Sequence, residues 1–218
     1  MTDKFMHEVL VKDDEFCHTM CEKYGEEFFA NLGKGQHPEI LWIGCSDSRV
    51  PASDILGLEA GHIFTHRNIA NLVSDIDISV QTVLAYAVEH LKVKHIILCG
   101  HSHCGGVDVA LHPSENEGVV GTYIQPLRDI LNKHKEEIDS CETDAKKSKT
   151  ACWINMGYQV KNLIRNPYVV EAWENGQELT IHGILFHISN GKIEKDAYAV
   201  SSLEEAKNFE LKDVKHYE

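Results

Sequence analysis

The sequence predicts an α/β fold with a mostly parallel central β-sheet flanked by helices. Two apolar runs, residues 39–44 and 93–100, have the composition of buried parallel strands, which are apolar on both faces. Between them, residues 77–91 carry apolar side chains at helical spacing. Strands that alternate with helices along a chain are typical of this architecture.

The N-terminal half is expected to begin with a helix over residues 13–32. Apolar side chains recur there every fourth position and form one stripe, namely Phe16, Met20, Tyr24, Phe28 and Leu32. The glycines and proline of residues 33–38 interrupt the pattern. The strand at 39–44 follows, and residues 62–67 are predicted to form a second, short strand.

The C-terminal half alternates in the same way. Helices are predicted over residues 124–137 and 153–173, the second interrupted by Pro167, and residues 139–150 form a polar connection or a helix start. Residues 178–189 and 193–200 are expected to pair as a hairpin about a turn at 190–192. A helical tail, within residues 202–213, ends the pattern.

One domain over residues 1–218 is the expectation, since this length suits a single core. It would comprise an N-terminal helical arm (1–37), a core (38–200) and a C-terminal helical tail (201–218). The arm has its own apolar stripe, so it is expected to pack on a partner subunit.

Composition excludes several classes of function. A formal net charge of −13 argues against nucleic acid or an anionic membrane as a partner. No apolar run reaches the ~18 residues of a membrane span, and the first twenty residues lack a signal or transit pattern. A cytoplasmic protein is therefore expected. Seven cysteines, an odd number, argue against a disulfide framework and leave thiols free as ligands or nucleophiles.

Polar side chains directly follow the two apolar strands. Cys45, Asp47 and Arg49 come after the first, and His101 and Cys104 come after the second. Because ligand sites in α/β sheets form at the carboxyl ends of neighbouring strands, these two loops are expected to meet. Two thiolates and one imidazole suit a zinc ion whose fourth position stays open for water, substrate or Asp47.

These motifs resemble the β-class carbonic anhydrases. The pattern C-x-D-x-R followed by H-x-x-C-G-G is similar to that of the family, and residues 41–51, 66–73, 86–106 and 181–186 follow the family's order. The resemblance covers roughly residues 38–200. It implies the β-carbonic anhydrase fold, a homodimer or dimer of dimers, and zinc-dependent reversible hydration of carbon dioxide to bicarbonate and a proton.

The resemblance also implies roles for the five polar residues. Cys45, His101 and Cys104 would bind zinc, and zinc-bound hydroxide would attack carbon dioxide. Two thiolates neutralise the charge of the metal. The negative charge of each opposes the ionisation of bound water by up to ~4 kcal/mol at 4 Å and an effective dielectric near 20. Bound water is therefore harder to ionise. Asp47, anchored by Arg49, would compensate as hydrogen-bond acceptor, and it would become a fourth ligand only in a closed state. Activity should then rise from neutral to alkaline pH.

Less specific expectations concern the substrate. Val50, Phe64 and Tyr86 match pocket-lining segments, although core packing explains them equally well. The N–H groups of Gly105 and Gly106 are candidates for holding a product oxygen, although a tight turn also explains these glycines.

Trp42 and Arg67 match two members of a family set that binds bicarbonate away from the metal. The third position is Phe186, which lacks the hydroxyl group, so inhibition by this route is weakened. Glu59 stands where plant-type members carry glutamine. His103 is a candidate proton shuttle, with an ordinary exposed loop histidine as the alternative.

Two other functions stay open at this stage. One is a zinc hydroxide hydrolase acting on carbon disulfide or carbonyl sulfide. The other is a closed zinc protein, with Asp47 permanently on the metal and a binding or regulatory role.

Overall fold

The computed structural model describes residues 3–194 and 198–212, which fall into two compact units divided after His37. The first unit contains helix α1 (Lys4–Tyr24) and helix α2 (Phe28–Leu32). The prediction of one helix over 13–32 is wrong, because Gly25 ends α1 with φ +93°, outside the helical range. No residue of α1 is buried. Packing of this helix on a partner subunit stays a prediction.

The second unit contains a six-stranded sheet. Its core is four parallel strands, β1 (Ile40–Cys45), β2 (Ile63–Asn68), β3 (His95–His101) and β4 (Thr180–His187). Their spatial order is β2-β1-β3-β4. Two short strands, β5 (Lys192–Ile193) and β6 (Tyr198–Val200), pair antiparallel with β4. The predicted mostly parallel sheet is confirmed.

Helices cover the sheet. In chain order they are α3 (Ala52–Leu56), α4 (Ile78–Ala85), α5 (Gly105–Leu111), α6 (Gly118–Lys133), α7 (Lys135–Asp139), α8 (Asp144–Leu163), α9 (Pro167–Glu174) and α10 (Leu203–Lys207). The larger core packs α4, α5, α6, α8 and α9 against one sheet face, which includes Leu41 and Ile43. A smaller core on the other face joins Trp42 and Phe186 to residues of α3 and the loop before it.

Several predicted boundaries differ from the structure. The helix expected over 77–91 is α4 followed by a wider, π-helical turn at Tyr86–His90. The stretch 139–150 is a helix start, because Thr143 caps α8. Pro167 opens α9 rather than interrupting a helix, with Asn166 as its cap. The two short helices α3 and α5 were not predicted.

The C-terminal tail is helical only over α10 within the described residues. Part of the predicted hairpin (195–197) and the end of the tail (213–218) lie outside the described residues. None of the helices described is both long and apolar enough to cross a membrane.

Candidate metal centre

The two predicted loops meet at the carboxyl edge of the sheet. Cys45 ends β1, His101 ends the neighbouring strand β3, and Cys104 immediately precedes α5. The two sulfur atoms lie 3.9 Å apart, and one donor atom from each of the three residues lies within 4.8 Å of the others. All three are buried. Among the described residues, no other group of three such side chains comes equally close.

The imidazole of His101 is oriented for metal binding. Its Nδ1 lies 3.0 Å from the carbonyl oxygen of Ser102, which can only accept, so Nδ1 carries the hydrogen. The lone pair is therefore on Nε2, which is buried without a hydrogen-bond partner. A buried polar atom without a partner costs about 1–3 kcal/mol. A metal ion would satisfy it, with the backbone carbonyl as outer-shell support.

The two thiols are also arranged so that a cation would stabilise them. The hydrogen bond with Cys104 lowers the pKa of Cys45, and the N–H groups of Asp47 and Ala70 act in the same direction. The same contact with Cys45, together with burial, raises the pKa of Cys104. The pair alone thus favours one thiolate and one thiol. A divalent cation would stabilise both as thiolates, and the nitrogen–sulfur donor set fits zinc with one position left over.

Asp47 lies beside this cluster and forms an ion pair with Arg49. Nε of Arg49 donates to Oδ1 of Asp47 at 2.9 Å, and Nη2 donates to Oδ2 at 2.7 Å. Nη2 also donates to the carbonyl of His103 at 3.2 Å. Arg49 lowers the pKa of Asp47 well below its usual range. Oδ2 lies 4.0 Å from Nε2 of His101, so an ionised carboxylate faces the metal-binding atoms.

Asp47 does not cap a helix. The cap of α3 is Pro51, while the Asp47 side chain accepts a bond from the Arg49 backbone at 3.0 Å within a turn. The contacts of its side chain are therefore with the backbone and the guanidinium of Arg49.

Arg67 braces the same turn from the edge strand β2. Its Nε donates to the carbonyl of Cys45 at 2.8 Å, and its Nη2 donates to that of Asp47 at 2.5 Å. Trp42 and Phe186 lie together in the smaller core, and Nε1 of Trp42 is buried without a partner. Arg67 thus binds backbone carbonyls, and a bicarbonate site built on Trp42 and Arg67 stays a prediction.

The predicted pocket residues lie at different distances from the cluster. Val50 is fully buried in the smaller core. Phe64 lies four residues before Asn68, which pairs with Cys45 in the sheet register. At ~3.3 Å per residue that separation is about 13 Å. The ring of Tyr86 lies 5.6 Å from that of Phe64. The backbone of Phe64 is therefore distant along β2 from the cluster, and the role of Phe64 and Tyr86 in lining the substrate pocket stays a prediction.

The two glycines at the start of α5 differ in their surroundings. A Cβ atom added to Gly105 would meet nothing within 4 Å. One added to Gly106 would lie 2.8 Å from Ile69 Cγ2 and 3.0 Å from Ala70 Cβ. Close helix packing thus explains Gly106. Their role in holding product stays a prediction, as does proton transfer by His103.

Sequence reasoning missed two buried amides of α8. Asn155 donates to the carbonyl of Ala70 at 2.9 Å and accepts from Gln159 at 2.9 Å, and both side chains are nearly inaccessible. The available signal was their i, i+4 spacing inside an otherwise apolar helix segment.

Comparison with known proteins agrees with this site. The profile of the carbonic anhydrase family matches residues 40–193. A carbonic anhydrase from Emericella nidulans is 44% identical over 165 residues, covering 76% of this chain and 72% of the relative. One from Candida albicans is 35% identical over 191 residues, covering 87% and 67%.

Solved structures show the same similarity. A tetrameric β-carbonic anhydrase from Sordaria macrospora aligns with a TM-score of 0.85 and 40% identity, covering 91% of this chain and 100% of that one. A β-carbonic anhydrase from Coccomyxa, in complex with acetazolamide, aligns with a TM-score of 0.89 and 30% identity, covering 95% and 92%.

Proposed function

Because this chain belongs to the β-class carbonic anhydrase family, we propose that it hydrates carbon dioxide reversibly at a zinc ion held by Cys45, His101 and Cys104. The products are bicarbonate and a proton. The observation that carries the proposal is the buried, unpartnered Nε2 of His101, which faces two thiols beside an ionised carboxylate. Zinc would supply a Lewis-acid centre that makes hydroxide available from water near neutral pH.

Asp47 orients the reacting water. Held ionised by Arg49, it accepts a hydrogen bond from that water and directs the oxygen lone pair towards carbon dioxide. Arg49 keeps both carboxylate oxygens in place, and Arg67 fixes the backbone of residues 45 and 47. The reacting groups therefore need little rearrangement as charge develops.

The ion pair between Asp47 and Arg49 is relevant to the alternative of a closed zinc protein. A closed zinc protein would require Asp47 to leave Arg49 and bind the metal, and the two bonds at 2.9 and 2.7 Å count against that arrangement. No contact among the described residues favours carbon disulfide or carbonyl sulfide as substrate. The closed state remains accessible if Arg49 releases its partner.

A homo-oligomer, either a dimer or a dimer of dimers, is part of the proposal. Ile76 and Ile78 before and at the start of α4 are 92% and 79% exposed, and Tyr86 is 45% exposed. Exposed apolar side chains of this size suggest a covered surface. Phe64 and Tyr86 remain candidates for lining the substrate pocket. Cytoplasmic localisation stays a prediction.

The test combines metal analysis with a stopped-flow hydration assay. Wild-type protein should contain stoichiometric zinc and hydrate carbon dioxide faster at alkaline than at neutral pH. His101→Ala should lose both metal and activity, whereas Cys141→Ser, which changes a thiol outside the cluster, should keep both. Wild-type protein that contains no metal, or that hydrates no carbon dioxide at both neutral and alkaline pH, would overturn the proposal.

A further inference from the structure

The loop that follows β3 contains a residue in a left-handed backbone conformation. His103 has a φ of +56°, which few non-glycine residues adopt. His103 itself is exposed, whereas Ser102 and Cys104 on either side of it are buried. Such a conformation persists only where the surrounding structure fixes it, and it is found preferentially at functional sites.

Contacts of the two neighbours fix the backbone at His103. The N–H of Ser102 donates to the Phe186 carbonyl at 2.9 Å, and the Ser102 hydroxyl accepts from the Ile188 N–H at 3.0 Å. On the other side, Cys104 is the N-cap residue of α5. Because both neighbours are held, the backbone direction at His103 is set by the loop and not by its own side chain.

This backbone direction determines where the carbonyl group of His103 points. The carbonyl accepts from Nη2 of Arg49 at 3.2 Å, and the same Nη2 donates to Oδ2 of Asp47 at 2.7 Å. Asp47 and Arg49 are two residues apart in the loop after β1, so their ion pair is local. The contact with His103 spans 54 residues and connects this pair to the segment that carries His101 and Cys104.

We infer that His103 is a positioning residue for Arg49, and that its backbone has this role rather than its imidazole. The His103 carbonyl keeps the guanidinium at a fixed place relative to the metal-binding segment, and the guanidinium in turn orients Asp47. The side chain of Arg49 is half exposed, so an attachment outside its own loop limits its motion. The inference rests on the proposed function, in which Asp47 orients the reacting water.

The test uses the different tolerance of amino acids for a positive φ. Glycine adopts it without steric cost, and asparagine is enriched there, whereas a β-branched residue such as valine is strongly disfavoured. None of these three carries an imidazole. His103→Gly and His103→Asn should therefore keep the carbonyl in place, and His103→Val should displace it.

The first readout is the guanidinium of Arg49 in full-length protein from which metal has been removed. Nitrogen-15 NMR measures the rate of rotation about the Cζ–Nη2 bond, which Asp47 and His103 restrict as acceptors. His103→Val should speed this rotation about 10-fold, as expected for loss of one charge-assisted hydrogen bond. His103→Gly and His103→Asn should leave the rate near that of wild type.

The second readout is stopped-flow hydration of carbon dioxide by the zinc-loaded protein. His103→Val should lower kcat/KM about 10-fold or more, as for loss of other contacts that orient the groups around a metal. His103→Gly and His103→Asn should stay near wild type. His103→Ala should lie between glycine and valine in both readouts, and it takes the place of His103→Val if that variant does not fold.

Lys92 is the matched control. It is exposed and has a φ of +55°, but it lies before β3, at the opposite end of this strand from His103. Its Nζ donates to Oε1 of Gln177 at 3.2 Å, and this contact is lost in both Lys92→Gly and Lys92→Val. Lys92→Val should unfold at lower denaturant concentration than Lys92→Gly, because valine disfavours the left-handed backbone. Neither variant should change the rotation rate of Arg49.

Three results would overturn the inference. One is a rotation rate of Arg49 in His103→Val, or in His103→Ala where that variant replaces it, that equals the wild-type rate. Another is an equal change in Lys92→Val, which would show a general effect of backbone strain. The third is an equal loss of activity in the glycine, asparagine and valine variants of His103 that imidazole buffer restores, which would assign the role to the ring.

The outcomes separate this inference from the proposed function. Wild-type protein that binds no zinc, or that hydrates no carbon dioxide, would overturn the proposed function, and NMR of the metal-free protein would still decide whether His103 holds Arg49. Active zinc-loaded wild type, together with an unchanged rotation rate in the metal-free His103→Val variant, would overturn only the role of His103.

Discussion

Arg49 binds both carboxylate oxygens of Asp47, with Nε 2.9 Å from Oδ1 and Nη2 2.7 Å from Oδ2. The pair is partly open to solvent, since the side chain of Arg49 is 50% exposed and that of Asp47 is 14% exposed. Such a forked contact fixes direction as well as charge. The effect of this contact on catalysis should therefore depend on the shape of the cationic side chain at position 49 as well as on its charge.

Substitutions of Arg49 should distinguish the contribution of the guanidinium's geometry to catalysis from that of its positive charge. Arg49→Ala should lower kcat/KM for hydration by about 10²–10³-fold, as for loss of a preorganised polar contact. Arg49→Lys should recover only part of this loss, because an ammonium group cannot make both bonds. Stopped-flow kinetics measures the effect, and Lys94→Ala, which breaks an exposed pair with Glu39, is the control. Equal activity of Arg49→Lys and wild type would contradict the prediction.

Acid should remove a stabilising contribution of Asp47. Because Arg49 lowers the pKa of this carboxyl group in the folded chain, the unfolded chain binds the proton more readily. The contribution is fully present above the unfolded pKa of about 3.9 and is lost as pH falls through the folded value. Urea unfolding of metal-free wild type and Asp47→Asn should give a stability difference that narrows from about pH 5 downwards. A difference that stays constant with falling pH would refute this.

Gly44 should be intolerant of a side chain. A Cβ atom there would overlap the indole of the fully buried Trp42. Gly44→Ala should lower the free energy of unfolding by about 1–3 kcal/mol. Gly105→Ala adds a methyl group to open space and should stay within about 0.5 kcal/mol of wild type. Chemical denaturation measures the free energy of unfolding of the two variants. Equal changes in that free energy would contradict the packing argument for Gly44.

Charges in the exposed apolar segment should disrupt assembly. The double variant Ile76→Asp and Ile78→Asp should shift the protein towards smaller species in light scattering after size exclusion, since carboxylates cannot be buried cheaply in an apolar interface. The double leucine variant keeps the apolar surface and should behave as wild type. An unaltered mass for the aspartate variant would place the interface elsewhere.

The convergence of Cys45, His101 and Cys104 could be predicted because strand composition and strand order are local signals. The apolar runs that precede Cys45 and His101 have the pattern of buried parallel strands, so these two side chains lie at the carboxyl ends of two strands. Adjacency of the two strands then follows from the general behaviour of α/β sheets. The family resemblance supplied the roles, which the residues alone left open.

Other features could not be predicted because they depend on distant parts of the chain. Asn155 and Ala70 are 85 residues apart, and an asparagine within a helix is more often at its surface. The apolar stripe of residues 13–32 continues across Gly25, so side-chain periodicity concealed the change of backbone direction. Phe64 matched a pocket segment, yet its register opposite Leu41 was needed to measure its separation from Cys45.

The central sheet order has a consequence for biogenesis. The two sulfur donors are 59 residues apart in sequence, and they meet only because β1 and β3 are neighbours. A nascent chain cannot bring the two thiols together until both strands have been synthesised and paired. If the proposed zinc binds here, it would therefore connect two distant segments of the chain and stabilise the pairing of their strands.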